Sequence, residues 1–514
     1  MIRFGAGLRL FIQSEQKTKT HPPEDLKENS MISNTTTQRG RRFLSWIVLA
    51  CTAIFGTACG NWNEFGNGPL NPHNTLVPGP AAGLSTQYNL PPPTASTHGV
   101  EVGVLVDRNR DYYVSSYDQG IHAYDNTGNF MGTYSLGVTG SRAVPYVHSE
   151  WPTYSTSATI FAGAEGGGFY VIDVDKTTTP FTMSLAASDS TLGTSESSPK
   201  RAQDETIYIA SQWGDIVRYE YTPTGGLNRL ATLSLSGQVV TGAIALYDLD
   251  PQYADEEVLV ATTRGNFYVL DHSLSTIIWS NSSGASTSDV YYAGVTVAER
   301  GVIAPVALLP IAGEGDPNSG LVRAINLWTQ AVEWELVPSQ TVLSEHAIPG
   351  SVAVLHDQTG FTQQAGQPGQ DDRWDDNQGG ILEGGGNFGG SNSGPNIPPI
   401  DANFNSWAPF NATFASTDGY LYGIDIVAGT EIWNYRLQAP GQDAPVVDNQ
   451  NIIYVGDGSS TLHAVEGKLS NPGLGLWMDG SISSGGTSDI VKLGVTNTYG
   501  LVVGTDSSAY ALFQ

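Results

Sequence analysis

One phrase recurs along this chain about every fifty residues, and its clearest copy is GYLYGIDIVAGTEIW at 419–433. A glycine turn opens it, alternating apolar residues follow, an acid ends the strand, and a polar turn leads to a tryptophan. Copies with the glycine six residues ahead of the acid, or of the residue in its place, stand at 167–173 (GGFYVID), 214–220 (GDIVRYE), 265–271 (GNFYVLD) and 320–326 (GLVRAIN). Weaker copies lie at 120–125, 461–466 and 509–513. A period of this length makes each copy one supersecondary unit that must stack on its neighbours to bury a core.

Within each copy the side chains alternate, as Phe267 and Val269 do, or Leu421 and Gly423 against Tyr420 and Tyr422. Alternation sends the two sets to opposite faces of a strand, so the unit is β structure. An apolar run precedes each phrase, for example at 207–210, 258–261, 413–415 and 452–455. One unit thus reads as four short antiparallel strands, a sheet too small to stand alone. Packing such sheets around an axis buries both faces and leaves only short outer edges, which is the propeller solution. The anchor residues are Asp125, Asp173, Glu220, Asp271, Asn326, Asp425, Glu466 and Phe513, spaced by 41 to 55 residues except for one gap of 99. That gap is one unit's length plus an insertion. The chain therefore reads as an all-β, eight-bladed propeller of four-stranded blades over 98–514. Its last unit stops after a third strand, and the extended segment 84–90 is the candidate for closing the ring.

Eight residues past the anchor stand Phe181, Trp279, Trp334 and Trp433. Aromatics on one register of a repeat are expected to fill the wedge between blades.

The phrase at 419–433 resembles the PQQ-like propeller repeat (G-x-L-Y-A-L-D-x-x-T-G-x-x-x-W), and the resemblance extends over roughly 100–514 with the other copies degenerate. Two families share that repeat: quinoprotein dehydrogenases, and non-catalytic BamB-like envelope lipoproteins. The dehydrogenases of the family hold PQQ against a vicinal disulfide beside calcium and a catalytic aspartate. This chain has only Cys51 and Cys59, which are not adjacent. The resemblance therefore implies the binding branch rather than the catalytic one, with no catalytic residue and no cofactor-binding residue to assign.

Residues 1–58 read as an address. Arg41 and Arg42 precede an apolar stretch at 43–56, and Thr57-Ala58 lead into Cys59. A basic flank, a short apolar core and small residues before a cleavage point make a secretory signal. A cysteine after the small pair resembles a bacterial lipobox, with Gly56 where that pattern prefers leucine, and implies lipidation at Cys59. Counted from Met31 the leader has ordinary length, so Met31 is read as an alternative start. Residues 59–97 are rich in Gly, Asn, Pro and Ser and read as a flexible tether to a membrane. The expected location is the outer membrane of a Gram-negative envelope.

Past residue 58 the chain keeps 15 basic and 46 acidic side chains, a net charge of −31. Such a surface repels nucleic acid and anionic lipid and suits cationic partners or divalent metal. The nine histidines show no metal-ligand spacing, and GGGNFG at 384–389 lies in a glycine-rich loop without the strand–helix context a dinucleotide needs.

Two acidic turns hold the remaining chemistry. Asp107, Asn109 and Asp111 place oxygen-bearing side chains at alternate positions, and Asp248, Asp250 and Asp255 form a second group in a turn that resembles the D-x-D-x-D loops of FG-GAP propellers. Alternate Asp/Asn spacing is how a short loop wraps calcium. Tyr112 replaces the usual following glycine in the first turn, and Pro251 interrupts the second. The insertion at 357–404 carries an acidic cluster around Trp374 and then a glycine run, fitting either a docking arm or a segment without a core. The expected function is a monomeric, lipid-anchored scaffold that binds envelope proteins through its loops, with no role for nucleic acid. A calcium-dependent adhesin or carbohydrate binder, and a PQQ oxidoreductase, are the alternatives.

Overall fold

The computed structural model describes residue 70, residues 79–90 and, with short interruptions and a longer one at 356–410, residues 103–513. The described residues all belong to one unit, within 59–514. They build eight antiparallel sheets, and the only helical element among them is the single 3-10 turn Thr153–Ser155. In chain order the blades span 104–134, 146–189, 200–234, 245–281, 289–336, 353–436 and 446–479, and the eighth combines 490–513 with 86–89. Successive strands of a blade are neighbours in its sheet, and first strands touch between blades 1 and 2, 6 and 7, 7 and 8, and 8 and 1, so the first strand is innermost.

The ring closes as the segment 84–90 suggested. Thr86–Asn89 pairs with Ala509–Phe513, matching Thr86 to Phe513 and Asn89 to Tyr510, and becomes the outermost strand of blade 8. This strand lies inside the stretch that composition alone assigned to the tether. Blade 5 departs from the simple plan. Its long second strand, Ile303–Gly313, carries two inner partners, Asp289–Val290 and Thr296–Arg300.

The repeat acid has a local cause. Asp425 Oδ1 accepts the N–H groups of Val427 and Ala428 at 2.8 and 2.9 Å, and Asp125 Oδ1 accepts those of Thr127 and Asn129, both at 2.9 Å. Asn326 does the same for Trp328 and Thr329 at 3.0 and 2.9 Å. At these three positions the anchor is thus an Asx cap that satisfies turn amides after the third strand, which an amide performs as well as a carboxylate. Gly429, four residues past its anchor, has φ 65°, and a Cβ there would meet the Trp334 ring of the preceding blade.

The antiparallel order puts the turns between first and second and between third and fourth strands at one end of the ring, here the lower. The turns between second and third strands, and the connections between blades, lie at the upper end. The core is distributed through the seams between blades, where Val, Ile, Leu and Tyr side chains of adjacent sheets are buried against each other.

Candidate functional site

The first acidic turn lies at the lower end of blade 1. Asp107 and Asp111 are both buried. Asp107 Oδ1 accepts the N–H groups of Asn109 at 2.8 Å and Asp111 at 3.0 Å, and its Oδ2 accepts the Tyr113 hydroxyl at 3.0 Å. Lys176, just after the third strand of blade 2 (Phe169–Asp175), extends its ammonium to Asp107 and to Asp111, 2.8 Å from the latter's Oδ2. Asn109 turns its amide Nδ2 inward as a donor to Asp111 Oδ2 at 2.9 Å. The structure therefore brings Asp107, Asn109 and Asp111 together, and the cation between the two carboxylates is a lysine. Burial pushes the Asp107 carboxyl upward against the lowering pull of Lys176, and pushes the Tyr113 hydroxyl well up.

The same turn returns in blade 7 with a different partner. Asp448 Oδ1 accepts the N–H groups of Gln450 and Ile452, both at 2.9 Å, and its Oδ2 accepts the Tyr454 hydroxyl at 3.1 Å. Where blade 1 uses Lys176, blade 7 uses the backbone N–H of Gly79 at 2.8 Å. In blade 3 the place of the acid is held by Ala202, and the Tyr208 hydroxyl reaches the His272 carbonyl of blade 4 at 2.7 Å. All three turns close alike, with the backbone N–H groups of Arg110, Asn451 and Glu205 donating to the carbonyls of Asp107, Asp448 and Ala202, and these residues taking φ values of 67°, 58° and 69°. The acid is an acceptor for turn amides and a tyrosine, a role its spacing alone did not reveal.

The second acidic turn joins blades in the same manner. Asp248 is half-buried and Asp255 exposed, while Asp250 lies outside the described residues. Glu256 accepts the Gln203 N–H of blade 3 at 2.8 Å, and Glu257 accepts the Leu249 N–H at 2.8 Å. Among the described residues no group of three or more His, Cys, Asp or Glu stands close enough to hold a metal ion.

At the upper end of blade 7, Asp457 and His463 are fully buried, with His463 Nε2 2.9 Å from Asp457 Oδ2. The carboxylate also accepts the Ser459 and Thr461 N–H groups at 2.9 and 3.1 Å and the Ser459 hydroxyl at 2.7 Å. Burial alone would raise its pKa, but the hydrogen bonds from His463, Ser459 and Thr461 outweigh it and hold the group down at about 2. His122 takes the same strand position in blade 1, between the Ser116 hydroxyl at 3.0 Å and the Thr133 hydroxyl at 2.9 Å. Both histidines fix turns from inside, sealed from solvent.

Among the described residues, the exposed tryptophans are Trp213, 67 % exposed on an upper turn of blade 3, and Trp328, 60 % exposed on a lower turn of blade 5. Neither was singled out from the sequence. The available signal was a tryptophan placed in a turn rather than on a strand.

Three of the four repeat aromatics lie on outermost strands. Trp279, Trp334 and Trp433 pair with Val269, Ala324 and Gly423, each two residues ahead of its anchor. Trp334 donates Nε1 to the Ile426 carbonyl of blade 6 at 3.1 Å, and Trp433 lies against Gly473 of blade 7. Phe181 stands elsewhere, on the turn before the outermost strand of blade 2, and packs back toward blade 1. Two residues not singled out take the tryptophan's place. Trp477 pairs with Ala464 and donates to the Pro80 carbonyl at 2.9 Å, and Tyr88 pairs with Ala511 and packs on Gly128 of blade 1. Cys59 and the insertion 357–404 lie outside the described residues.

No family model matches the sequence, and no curated protein does. Solved structures do. Sqt1 of Saccharomyces cerevisiae is similar at TM-score 0.55 and 10% identity, over 85% of this chain and 99% of its own. Quinohemoprotein alcohol dehydrogenase of Comamonas testosteroni gives 0.54 and 14%, over 88% and 80%. BamB of Moraxella catarrhalis gives 0.50 and 13%, over 84% and 99%. At these identities the likeness shows the fold alone, a β-propeller.

Proposed function

We propose that this chain is an exported, non-catalytic propeller, lipid-anchored at Cys59, that binds envelope proteins through its turns and acts as a scaffold in outer-membrane protein assembly. One observation carries the reading. Among the described residues, the buried carboxylates and histidines of the turns are bonded into turns and blade seams, while Trp213 and Trp328 are offered to solvent at the two ends. A large aromatic on a rigid turn is a common anchor for a protein partner. The net charge of −31 past residue 58 favours a partner with a basic face. The fold-level likeness to BamB and the resemblance of the repeat support the envelope setting.

The test is affinity purification of the full chain from detergent-solubilised envelopes, with and without calcium, read by mass spectrometry. Co-purification of an outer-membrane β-barrel assembly protein, lost on Trp213→Ala or Trp328→Ala, is the expected result. Recovery of glycan alone, and only with calcium, would replace the scaffold with an adhesin. Dye reduction after reconstitution with PQQ and calcium would replace it with an oxidoreductase.

A further inference from the structure

We propose that His272 and Arg218 form a pH-driven switch at the lower end of the seam between blades 3 and 4, in which the neutral imidazole accepts a hydrogen bond from the guanidinium and the protonated imidazole bonds Asp204 instead and displaces it. His272 follows the anchor Asp271 of blade 4, while Asp204, Tyr208 and Arg218 belong to blade 3. One ring nitrogen, Nε2, lies 2.8 Å from Arg218 Nη2 and 3.2 Å from Asp204 Oδ2. The first of these is only a donor and the second, as a carboxylate, only an acceptor, so Nε2 satisfies one of them at a time. Tyr208 fixes which one the neutral ring serves. Its hydroxyl has a single hydrogen, given to the His272 carbonyl at 2.7 Å, so its oxygen is left to accept from Nδ1 at 3.1 Å. The neutral ring therefore carries its hydrogen on Nδ1 and turns the Nε2 lone pair to Arg218.

A proton added at Nε2 sets two donors 2.8 Å apart, and Arg218 Nη2 has to withdraw while Nε2–H bonds Asp204. The carboxylate is ready for this exchange. Its Oδ1 is held by the Thr206 N–H and hydroxyl at 3.0 and 2.6 Å, and its Oδ2 already accepts Arg218 Nη2 at 2.6 Å. The seam is thus bridged in both states, and what changes is whether the guanidinium is tied to blade 4. Among the described residues, the charged and titratable groups facing the ring are Asp204, Arg218 and Tyr208 of blade 3 and Asp255 of blade 4, with Glu256 facing Tyr208. The bond to Asp204 raises the pKa of His272 above its ordinary value, against burial and Arg218. Burial pushes the Tyr208 hydroxyl well up, and the bonds from His272, Thr206 and Arg218 outweigh burial and hold Asp204 well down, so both keep their form while the ring titrates. Unlike the sealed His122 and His463, the His272 side chain is 18 % exposed, and protons reach it from solvent.

The experiment is nitrogen-15 NMR of the histidine and arginine side chains of the full chain, from about pH 5 to 8. The His272 signal is assigned by His272→Gln or by its proximity to the Tyr208 ring. At the basic end His272 is expected to carry its hydrogen on Nδ1, and on acidification to gain one on Nε2 with a midpoint above that of a free histidine. The Arg218 Nε–H signal shifts with the same midpoint, and in His272→Gln it stops responding over this range. The midpoint moves further up in Arg218→Gln and down in Asp204→Asn. A neutral ring with its hydrogen on Nε2, or an Arg218 signal that ignores the His272 titration, overturns the switch. Both are read on the native chain, so a variant that fails to fold does not decide the matter.

Discussion

Blades 1–3 and blades 4–8 solve the same wedge in opposite directions. In the larger group an aromatic stands on the outermost strand, Trp279, Trp334, Trp433, Trp477 and, supplied by the closing strand, Tyr88, and Trp334, Trp433 and Tyr88 meet the next blade directly. In the smaller group the matching positions are Gly132, Ala187 and Ala231. There the filling comes from the next blade. A Cβ on Gly132 would press on the Phe181 carbonyl and touch Met183, and Ala187 packs in the same cluster as Tyr221 and Leu227 of blade 3. What is conserved around the ring is the volume in the seam, not the side that supplies it. The contrast extends to the lower turns, where the acid of blade 1 is met by Lys176 and its twin in blade 7 by the Gly79 amide.

The sharpest way to break this comparison is to empty a wedge. Trp433→Ala is expected to destabilise the ring by about 3–5 kcal/mol in chemical denaturation, whereas Phe181→Ala, at a half-buried site, should cost clearly less. Equal losses would show that the two groups of blades are filled alike. Lys176→Met should cost about 3–5 kcal/mol, because it leaves Asp107 and Asp111 buried together without their cation. Lys176→Met combined with Asp107→Asn and Asp111→Asn should recover most of that loss, and a failure to recover would mean the lysine acts through packing instead.

Overfilling is the milder test. Gly132→Trp imposes the blade 4–8 pattern on blade 1 and should cost about 1–3 kcal/mol, partly relieved by Met183→Ala. Additive effects would separate the two positions. The histidine turns give the smallest effect, and one that depends on pH. The Asp457 carboxyl is held at about 2, below its unfolded value, so its contribution is present above pH ~4 and is lost as pH falls through about 2. Asp457→Ser copies the neutral Ser116–His122 arrangement of blade 1, and should remove up to about 2 kcal/mol at pH 7 while flattening the acid limb of the stability curve. An unchanged acid limb would place the titration elsewhere.

Architecture was legible because it rests on a period. The anchors at Asp125 through Phe513 marked the third strand of every blade, and the missing fourth strand of the last unit pointed to 84–90. The closing strand became visible only as an absence, since Thr86–Asn89 sits in a stretch whose composition reads as linker. Counting from the anchor found Trp279, Trp334 and Trp433, but it fails where the turn lengthens. Trp477 lies beyond a longer turn in blade 7, and the extended turn of blade 2 moves Phe181 off the strand. The acidic turns were legible as clusters and not as roles. Spacing cannot show that Lys176, 69 residues from Asp107, supplies the positive charge, because the two meet only once the blades are stacked.

Leu70 is buried, and its carbonyl accepts the Val297 N–H of blade 5 at 2.9 Å, which sets a leash. Between Cys59 and Leu70 there are eleven peptide steps, and a chain that long reaches no further than about 40 Å even when fully drawn out. Were Cys59 to carry the lipid proposed above, blade 5 would stand within that distance of the membrane, and the partners its turns could reach would be those close to the same surface.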